Sequence, residues 1–585
     1  MDSIGPTFRA LRGRGTLPET AALPAPAPAA LLDDKVRDLE NELFRKRPSS
    51  ASDPFFESAA KLARPGHVAS AGRVAHGAPP FIRDHNLRTA ASREHTPPGT
   101  ARTAQQDAAQ QDAAQENTAQ EHAAQEHAAQ EHAAQEDAGL AGDDDVPLEV
   151  LEEMSRLEEN FPVLAERYRL LDKIGEGTFS TVYKAEAMDG AVMLGSQLWK
   201  SPPLKQAAAA RRREQKKRPL VALKQIYVTL SPNRIHNELQ LLFMLSGNAH
   251  VAPLLDILRH QDQVLAILPY YQHADFRDFY RDLPVKGIKN YMWELLQGLE
   301  FMHSKAIIHR DLKPTNFLYD PFKGKGVLVD FGLAEKMPAC APSASANSCP
   351  CLLKDRPALH KTRLKRLNIK AAYPKVDQRP PRRANRAGTR GFRAPEVLFK
   401  CTNQSTKIDV WSAGIIALSL LARKFPLFNS PDDIDALVEL ILVFGVDKLL
   451  KCAELHGCGL ELNAPNAQMA SFNGNLVRLL VSVLTHEDEN GCLPPDSVIY
   501  DTLKFLDKES HTLAKPVLAD AEGAPAAMRA EHRRLMDEYS DLKHLLQLLY
   551  GCLSMDASKR LSASQLLQMP FFEELTAHGD DDVLL

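Results

Sequence analysis

The sequence predicts an α+β domain behind a low-complexity N-terminal tail. Three observations carry this. From about Val146 to Leu575, apolar runs of strand period alternate with runs of helical period. The stretch KIGEGTFSTVYKA sets two strand-like runs on either side of a glycine turn. A polar turn, HRDLKPTNFLYD (His309 to Asp320), separates the helical-period stretch YMWELLQGLEFMHSKAIIHRD from the short β-branched run VLVDFG.

Residues 1–145 read as a disordered tail. They are rich in Ala, Pro, Gln and charge and poor in large apolar residues, so they bury too little surface to offset chain entropy. From Ala104 to Ala138 a pentad recurs, AAQEH with QQD and QEN variants. Five residues carry a helix about 140° past a full turn, so no apolar face accumulates. The repeat histidines offer metal ligands, but a solvated repeat requires none. Within the tail, Leu32, Val36, Leu39 and Leu43 share a helical stripe, too short for a coiled coil by itself.

The ordered part, 146–575, opens with EVLEEMSRLEENFPVLAERYRLLDKIGEGTFSTVYKA, read as helix, strand, glycine turn and strand. Three polar stretches interrupt it: about 190–218 with RRREQKKRP, about 336–387 with KTRLKRLNIK and RPPRRANR, and one within 455–535. They read as surface insertions. Residues 576–585 form an acidic tail. The composition, 44% hydrophobic and 25% charged, supports at least one large core, and the net charge of −4 points to no partner. Eight cysteines in a chain without an apolar leader read as reduced thiols of an intracellular protein. No stretch is long and apolar enough to span a bilayer.

Chemistry concentrates in the three motifs. Glycines let a hairpin lie flat so that its backbone N–H groups can approach phosphate oxygens. A dinucleotide fold would place a helix directly after Gly175-Glu176-Gly177-Thr178-Phe179-Ser180, whereas STVYKAEA alternates as a strand. This argues for a phosphate-covering hairpin. Lys224 lies on PLVALKQIYV, a run that does not alternate cleanly and so reads as buried. A buried ammonium needs a partner, and Glu238 on the following helix RIHNELQLLFML is the candidate. In the polar turn Asp311 can accept a proton from an alcohol, and Lys313 can neutralise a phosphoryl group in transfer. Asn316 and Asp330 offer the hard oxygen ligands that Mg²⁺ prefers. Phosphoryl transfer needs positioning and charge neutralisation above all, and this set offers both.

GEGTFSTV, VALK, HRDLKPTN, DFG, APE (Ala394 to Glu396) and DVWSAG (Asp409 to Gly414) follow one another as in the eukaryotic protein kinases, which the chain resembles over about 168–575. The resemblance implies a bilobal fold, with a small mostly antiparallel β lobe carrying one helix and a larger, mostly helical lobe. It implies serine/threonine specificity, from Lys313, with ATP and Mg²⁺ as cofactors. The nucleotide site would comprise Ile174 through Ser180, Val182, Ala222, Lys224 and Leu318, with Leu268 as gatekeeper and Pro269 and Tyr270 in the hinge. It further implies that Arg560 pairs with Glu396, that Asp409 anchors the catalytic-loop backbone, and that Thr389 contacts Asp311 and Lys313. The third loop glycine is replaced by Ser180, and the segment from DFG to APE is unusually long.

DKIGEGTFSTVY, LPYYQHADFRDFY, HRDLKPTNFLYD and GTRGFRAPEVLFKCTNQSTKIDVWSAGIIALSLLARKFPLFNSPDDIDAL closely resemble the cell-division-cycle-seven kinases, catalytic subunits of the replication kinase DDK. That implies a nuclear enzyme with a Dbf-type regulatory subunit. Its substrate would be the MCM helicase, phosphorylated to fire origins, with no direct nucleic-acid binding and no membrane required. Arg390 and Arg393 sit where the residue after the target Ser or Thr would dock, favouring an acidic or phosphorylated neighbour; alternatively one of them braces the loop. The basic second insert reads as an aid to acidic substrates, a nuclear localisation signal or a solvated linker. Cys349-Pro-Cys351, with Cys340 and His360 near, offers zinc ligands, and the related kinases carry a cysteine-rich zinc element here. Without a second cysteine pair the segment reads first as a free-thiol loop. The competing functions are a kinase of the casein-kinase-two or cyclin-dependent type, and a pseudokinase scaffold. Intact Lys224, Asp311 and Asp330 oppose the scaffold.

Overall fold

The structure is a computed structural model. It describes residues 146–177, 180–188, 218–227, 232–337, 349, 351, 388–458, 460, 472–490, 493–517 and 525–579. The N-terminal tail, the first insert, most of the second insert and the acidic C-terminal tail lie outside the described residues.

The chain enters through two helices, α1 (Leu148–Asn160) and α2 (Pro162–Arg167). Met154, Leu157, Phe161 and Leu164 fall on one side at helical spacing and bury against the sheet that follows. That sheet contains β1 (Tyr168–Gly177), β2 (Ser180–Ala187), β3 (Leu220–Ile226), β4 (Asp256–His260) and β5 (Gln263–Pro269), in the order β1-β2-β3-β5-β4 with every pairing antiparallel. β3 is the central strand, and Val221, Ala222, Leu223 and Lys224 are all buried. This is why its sequence does not alternate: both faces are covered. Helix α3 (Pro232–Leu245) follows β3 and carries Glu238.

The second lobe is mostly helical. After α4 (Phe276–Phe279), the long α5 (Val285–Ser304) leads to β6 (Ile307–Ile308) and the polar turn. β7 (Phe317–Asp320) and β8 (Lys325–Leu328) form a hairpin, and β9 (Glu335–Lys336) pairs back on β6. Next come α6 (Pro395–Leu398) and α7 (Lys407–Leu421). Every residue of α7 from Ile408 to Leu421 is buried, as expected of a helix apolar all round and surrounded by its lobe.

Helices α8 (Asp433–Phe444), α9 (Val446–Leu455), α10 (Leu476–Asn490) and α11 (Val498–Leu503) precede the 27-residue α12 (Ala526–Cys552). α13 (Ala563–Leu567) opens on a reciprocal Ser562–Gln565 capping box, and α14 (Glu573–Gly579) ends the described chain. The stretch 455–535 thus contributes the helices α10 and α11 and the start of α12. Leu476, Leu480 and Leu484 recur on one face of α10 and are buried.

Candidate active site

Lys224 is held by the register of the sheet, opposite Val182 on β2 and Ala266 on β5. Its ammonium lies 2.6 Å from Glu238 Oε1 and 2.8 Å from Asp330 Oδ1. Burial works against that charge, but the Asp330 and Glu238 carboxylates outweigh it and raise the lysine pKa. In turn the Lys224 ammonium holds Asp330 well below the usual carboxylate range, although the Asp330 side chain stays half exposed. Asp330 has φ +62°, off the end of β8, a conformation that turns its side chain out of the strand period.

The catalytic-loop candidates converge on Asp311. Its Oδ1 accepts hydrogen bonds from Thr389 N and Thr389 Oγ1, both at 2.8 Å. Its Oδ2 lies 3.3 Å from Asn316 Nδ2 and 3.7 Å from Lys313 Nζ. Asn316 also donates to the Asp311 carbonyl at 2.8 Å, so both of these bonds use the amide nitrogen and leave the harder oxygen for a cation. Below the loop, Asp409 on α7 accepts from His309 N at 2.8 Å and Arg310 N at 2.9 Å. Burial opposes the Asp409 charge, yet the bond and charge of His303 and the backbone donor of His309 keep its pKa low.

The glycine hairpin is positioned by β1 and β2, with Gly177 opposite Ser180. A Cβ on Gly175 would meet Val182 at 3.9 Å, and one on Gly177 would meet the Ser180 carbonyl at 3.7 Å. These are ordinary contacts, so packing within the chain does not demand glycine here. Close approach of a ligand to the backbone does, and a triphosphate fits that demand. Thr178 and Phe179 at the tip lie outside the described residues. Leu268 and Pro269 pair with Ala222 and Val221, which puts the predicted gatekeeper and hinge beside the lysine strand. Tyr270 donates from its backbone to Leu220 O at 3.3 Å. Leu318 lies on β7, and Ile174 is exposed on β1.

The two substrate-arginine candidates separate. Arg393 Nη1 is 2.6 Å from Asp433, and its Nε donates to Gly388 O at 2.7 Å, with both charged side chains at or below 10% exposure. The charge of Arg393 is thus committed inside the protein, which favours the alternative reading in which one of the two arginines braces the loop. Arg390 is half-buried and has no ion pair among the described residues. It lines a shallow cavity with Phe428, Ser430, Glu439 and Leu440.

The thiols of Cys349 and Cys351 meet residues that local sequence spacing did not indicate. Cys349 Sγ lies 3.3 Å from Cys401 Sγ and 3.7 Å from His456 Nδ1, and Cys351 Sγ lies 3.7 Å from Cys401 Sγ. All four ligand atoms lie within 4.8 Å of one another. Two sulfurs on a tetrahedral zinc are about 3.8 Å apart for Zn–S bonds of about 2.3 Å, so the donor set and its spacing fit zinc. Asn403 N donates to Cys401 Sγ at 3.3 Å, the kind of contact that orients a ligand from outside. Cys340 and His360, the partners expected from sequence, lie outside the described residues. Cys401 stands just past the APE helix and His456 after α9, so the signal was two lone residues 50 or more positions away from the CPC pair.

The Lys224–Glu238–Asp330 ion triad, and Asp311 set among Lys313, Asn316 and Thr389, are the groups that phosphoryl transfer calls for. Comparison with known proteins agrees. The family description "Protein kinase domain" matches residues 205–350 and 373–572. The chain is 39% identical over 445 residues to the cell cycle serine/threonine-protein kinase hsk1 of Schizosaccharomyces pombe, covering 75% of this chain and 79% of that one. It is 40% identical over 370 residues to the cell cycle protein kinase spo4 of the same yeast, covering 60% and 82%. To the human cell division cycle 7-related protein kinase it is 27% identical over 429 residues, covering 53% and 71%. The chain belongs to the protein kinase family and, within it, to the cell-division-cycle-seven type of serine/threonine kinase. Its kinase domain implies use of ATP and Mg²⁺.

Proposed function

We propose that this kinase acts as a DDK-type enzyme, phosphorylating serine or threonine in acidic contexts on the replicative MCM helicase to trigger origin firing. It would do so in the nucleus and together with a Dbf-type regulatory subunit. The observation that carries the enzymatic part is the double grip on Asp311 Oδ1 by Thr389. It leaves the Oδ2 edge of the carboxylate, flanked by Lys313 and Asn316, for a substrate hydroxyl.

The hydroxyl oxygen attacks the γ-phosphorus and forms the new O–P bond. The bond from that phosphorus to the bridging oxygen breaks, and its electron pair leaves with ADP. The hydroxyl proton passes to Asp311, while Lys313 screens the charge in transit. Lys224, steadied by Glu238, would hold the nucleotide phosphates, and Asn316 and Asp330 would hold the Mg²⁺ that neutralises their charge. Thr389 keeps Asp311 oriented.

Arg390, the arginine left uncommitted once Arg393 is bound to Asp433, supports the acidic preference. Zinc in the Cys349–Cys351–Cys401–His456 cluster would tie the second insert to the end of the APE helix and to α9. The cell-cycle names of hsk1 and spo4 support the replication role.

The test is ATP-dependent labelling of a peptide with Asp after its Ser, by wild type and Asp311→Asn. Loss of at least about 100-fold is expected for removal of the base. Labelling by the variant at wild-type rate refutes the mechanism.

A further inference from the structure

Arg310 follows His309 in the catalytic loop and is built into three segments at once. Its N–H donates to Asp409 at 2.9 Å, and its φ is +71°. Its carbonyl packs so closely under Gly388 that a Cβ there would sit 2.3 Å from the oxygen. The guanidinium is only 7% exposed: Nη2 lies 2.8 Å from Glu335 Oε2, and Nη1 donates to Gln404 Oε1 at 3.1 Å. Nε is buried without a hydrogen-bond partner among the described residues. Glu335 comes from β9, where pairing with β6 places it opposite Ile308. One cation thus joins the catalytic loop, the strand that follows the metal aspartate and the loop after α6.

A guanidinium buried at such a junction needs an anion; without one the loop must open to hydrate it. Kinases commonly supply that anion after synthesis, as a phosphate on the activation segment that pairs with arginine and orders the loop. Here a carboxylate five residues past Asp330 already occupies the arginine. It is the only side-chain carboxylate in an ion pair with Arg310 among the described residues. We propose that Glu335 is a positioning residue, the permanent counter-ion of Arg310, which holds the catalytic loop in working geometry without phosphate on the activation segment. This goes beyond the kinase reading but rests on it.

The test uses the tagged full chain purified from the cells that make it, so that any bound partner stays in place. Wild type, Glu335→Gln and Glu335→Asp are each assayed before and after treatment with a broad-specificity phosphatase, which is removed before the assay. kcat, the KM for MgATP and the unfolding temperature are read for each. The expected result is a wild-type kcat that phosphatase changes by less than about twofold. Glu335→Gln should lower kcat about tenfold with KM unchanged, because a displaced catalytic loop costs rate rather than nucleotide binding. Glu335→Asp, which keeps the charge, should recover most of the loss.

Three results overturn the proposal: collapse of wild-type kcat after phosphatase, full activity in Glu335→Gln, or a loss that tracks the unfolding temperature and is not rescued by aspartate. Absence of activity in untreated wild type would instead count against the kinase reading itself.

Discussion

Arg560→Met tests how the substrate-side loop is anchored. In the wild type the guanidinium is 0% exposed and grips Glu396 through two bonds, Nη1–Oε1 at 2.8 Å and Nη2–Oε2 at 3.0 Å. It also donates to Lys407 O at 2.6 Å and to Ser554 O at 2.9 Å and 3.2 Å, and lies 5.2 Å over the Trp411 ring. Methionine fills much of the volume but leaves the Glu396 carboxylate, 2% exposed, without its cation. Breaking a buried pair from one side costs about 3–5 kcal/mol. Two carbonyls, of Lys407 and Ser554, lose donors as well. Neutralising the orphan in an Arg560→Met/Glu396→Gln double variant removes the uncompensated charge, leaving about 1–3 kcal/mol for imperfectly paired polar groups. The assay is urea unfolding followed by tryptophan fluorescence, since the Arg560 guanidinium lies over the Trp411 ring, with kinase activity measured in parallel. Activity should fall before global unfolding, because Glu396 belongs to α6, which begins five residues after Arg390. A double variant no more stable than the single one, or a single variant within about 1 kcal/mol of wild type, would refute the account.

Gly388 has φ +101°, and its missing Cβ would meet the Arg310 carbonyl at 2.3 Å, so Gly388→Ala should lower kcat at least about tenfold with circular dichroism unchanged. The purified chain should carry roughly one zinc by elemental analysis and lose it in Cys401→Ser; a metal-free chain with all thiols rapidly alkylated would exclude the site. Lys224→Met should lose stability in a defined pH window. Asp330 has a depressed folded pKa, so its contribution is present above about pH 4 and is lost as pH falls through the folded value. Lys224 has a raised one, so its contribution is present below about pH 10 and is lost as pH rises through the folded value. The gap between variant and wild type should be full at pH 7 and close in strong acid, and a gap independent of pH would contradict the ion triad.

What the sequence made legible was whatever sits on a local pattern. The hairpin around Gly175 and Gly177, the buried run around Lys224 and the helix carrying Glu238 each follow from spacing within about ten residues, and the structure forms all three. The Arg393 assignment was open because a guanidinium facing Asp433, 40 residues on, looks in sequence the same as one facing solvent. The Cys401 and His456 partners were invisible for the same reason: a lone cysteine after a short helix carries no periodicity. Only the fold brings it to 3.3 Å from Cys349. Long-range pairs fail to announce themselves because their energy depends on three-dimensional closure, whereas strand and helix periods are written residue by residue.

The charges beneath the catalytic loop share one design. Asp409 with the His309 and Arg310 amides, Arg310 with Glu335, Arg393 with Asp433 and Arg560 with Glu396 each join a segment of the site to an element remote in sequence. An apolar contact of equal volume would stabilise as well or better, since burying charge is costly. Apolar surfaces, however, tolerate sliding, and charge-assisted hydrogen bonds of fixed direction do not, least of all the bidentate Arg560–Glu396 pair. A loop that must present Asp311 to an alcohol within a fraction of an ångström gains more from a fixed register than from added stability. On this argument the ion pairs are kept for geometry, and replacing any one of them by well-packed apolar residues should leave a folded protein that transfers phosphate poorly.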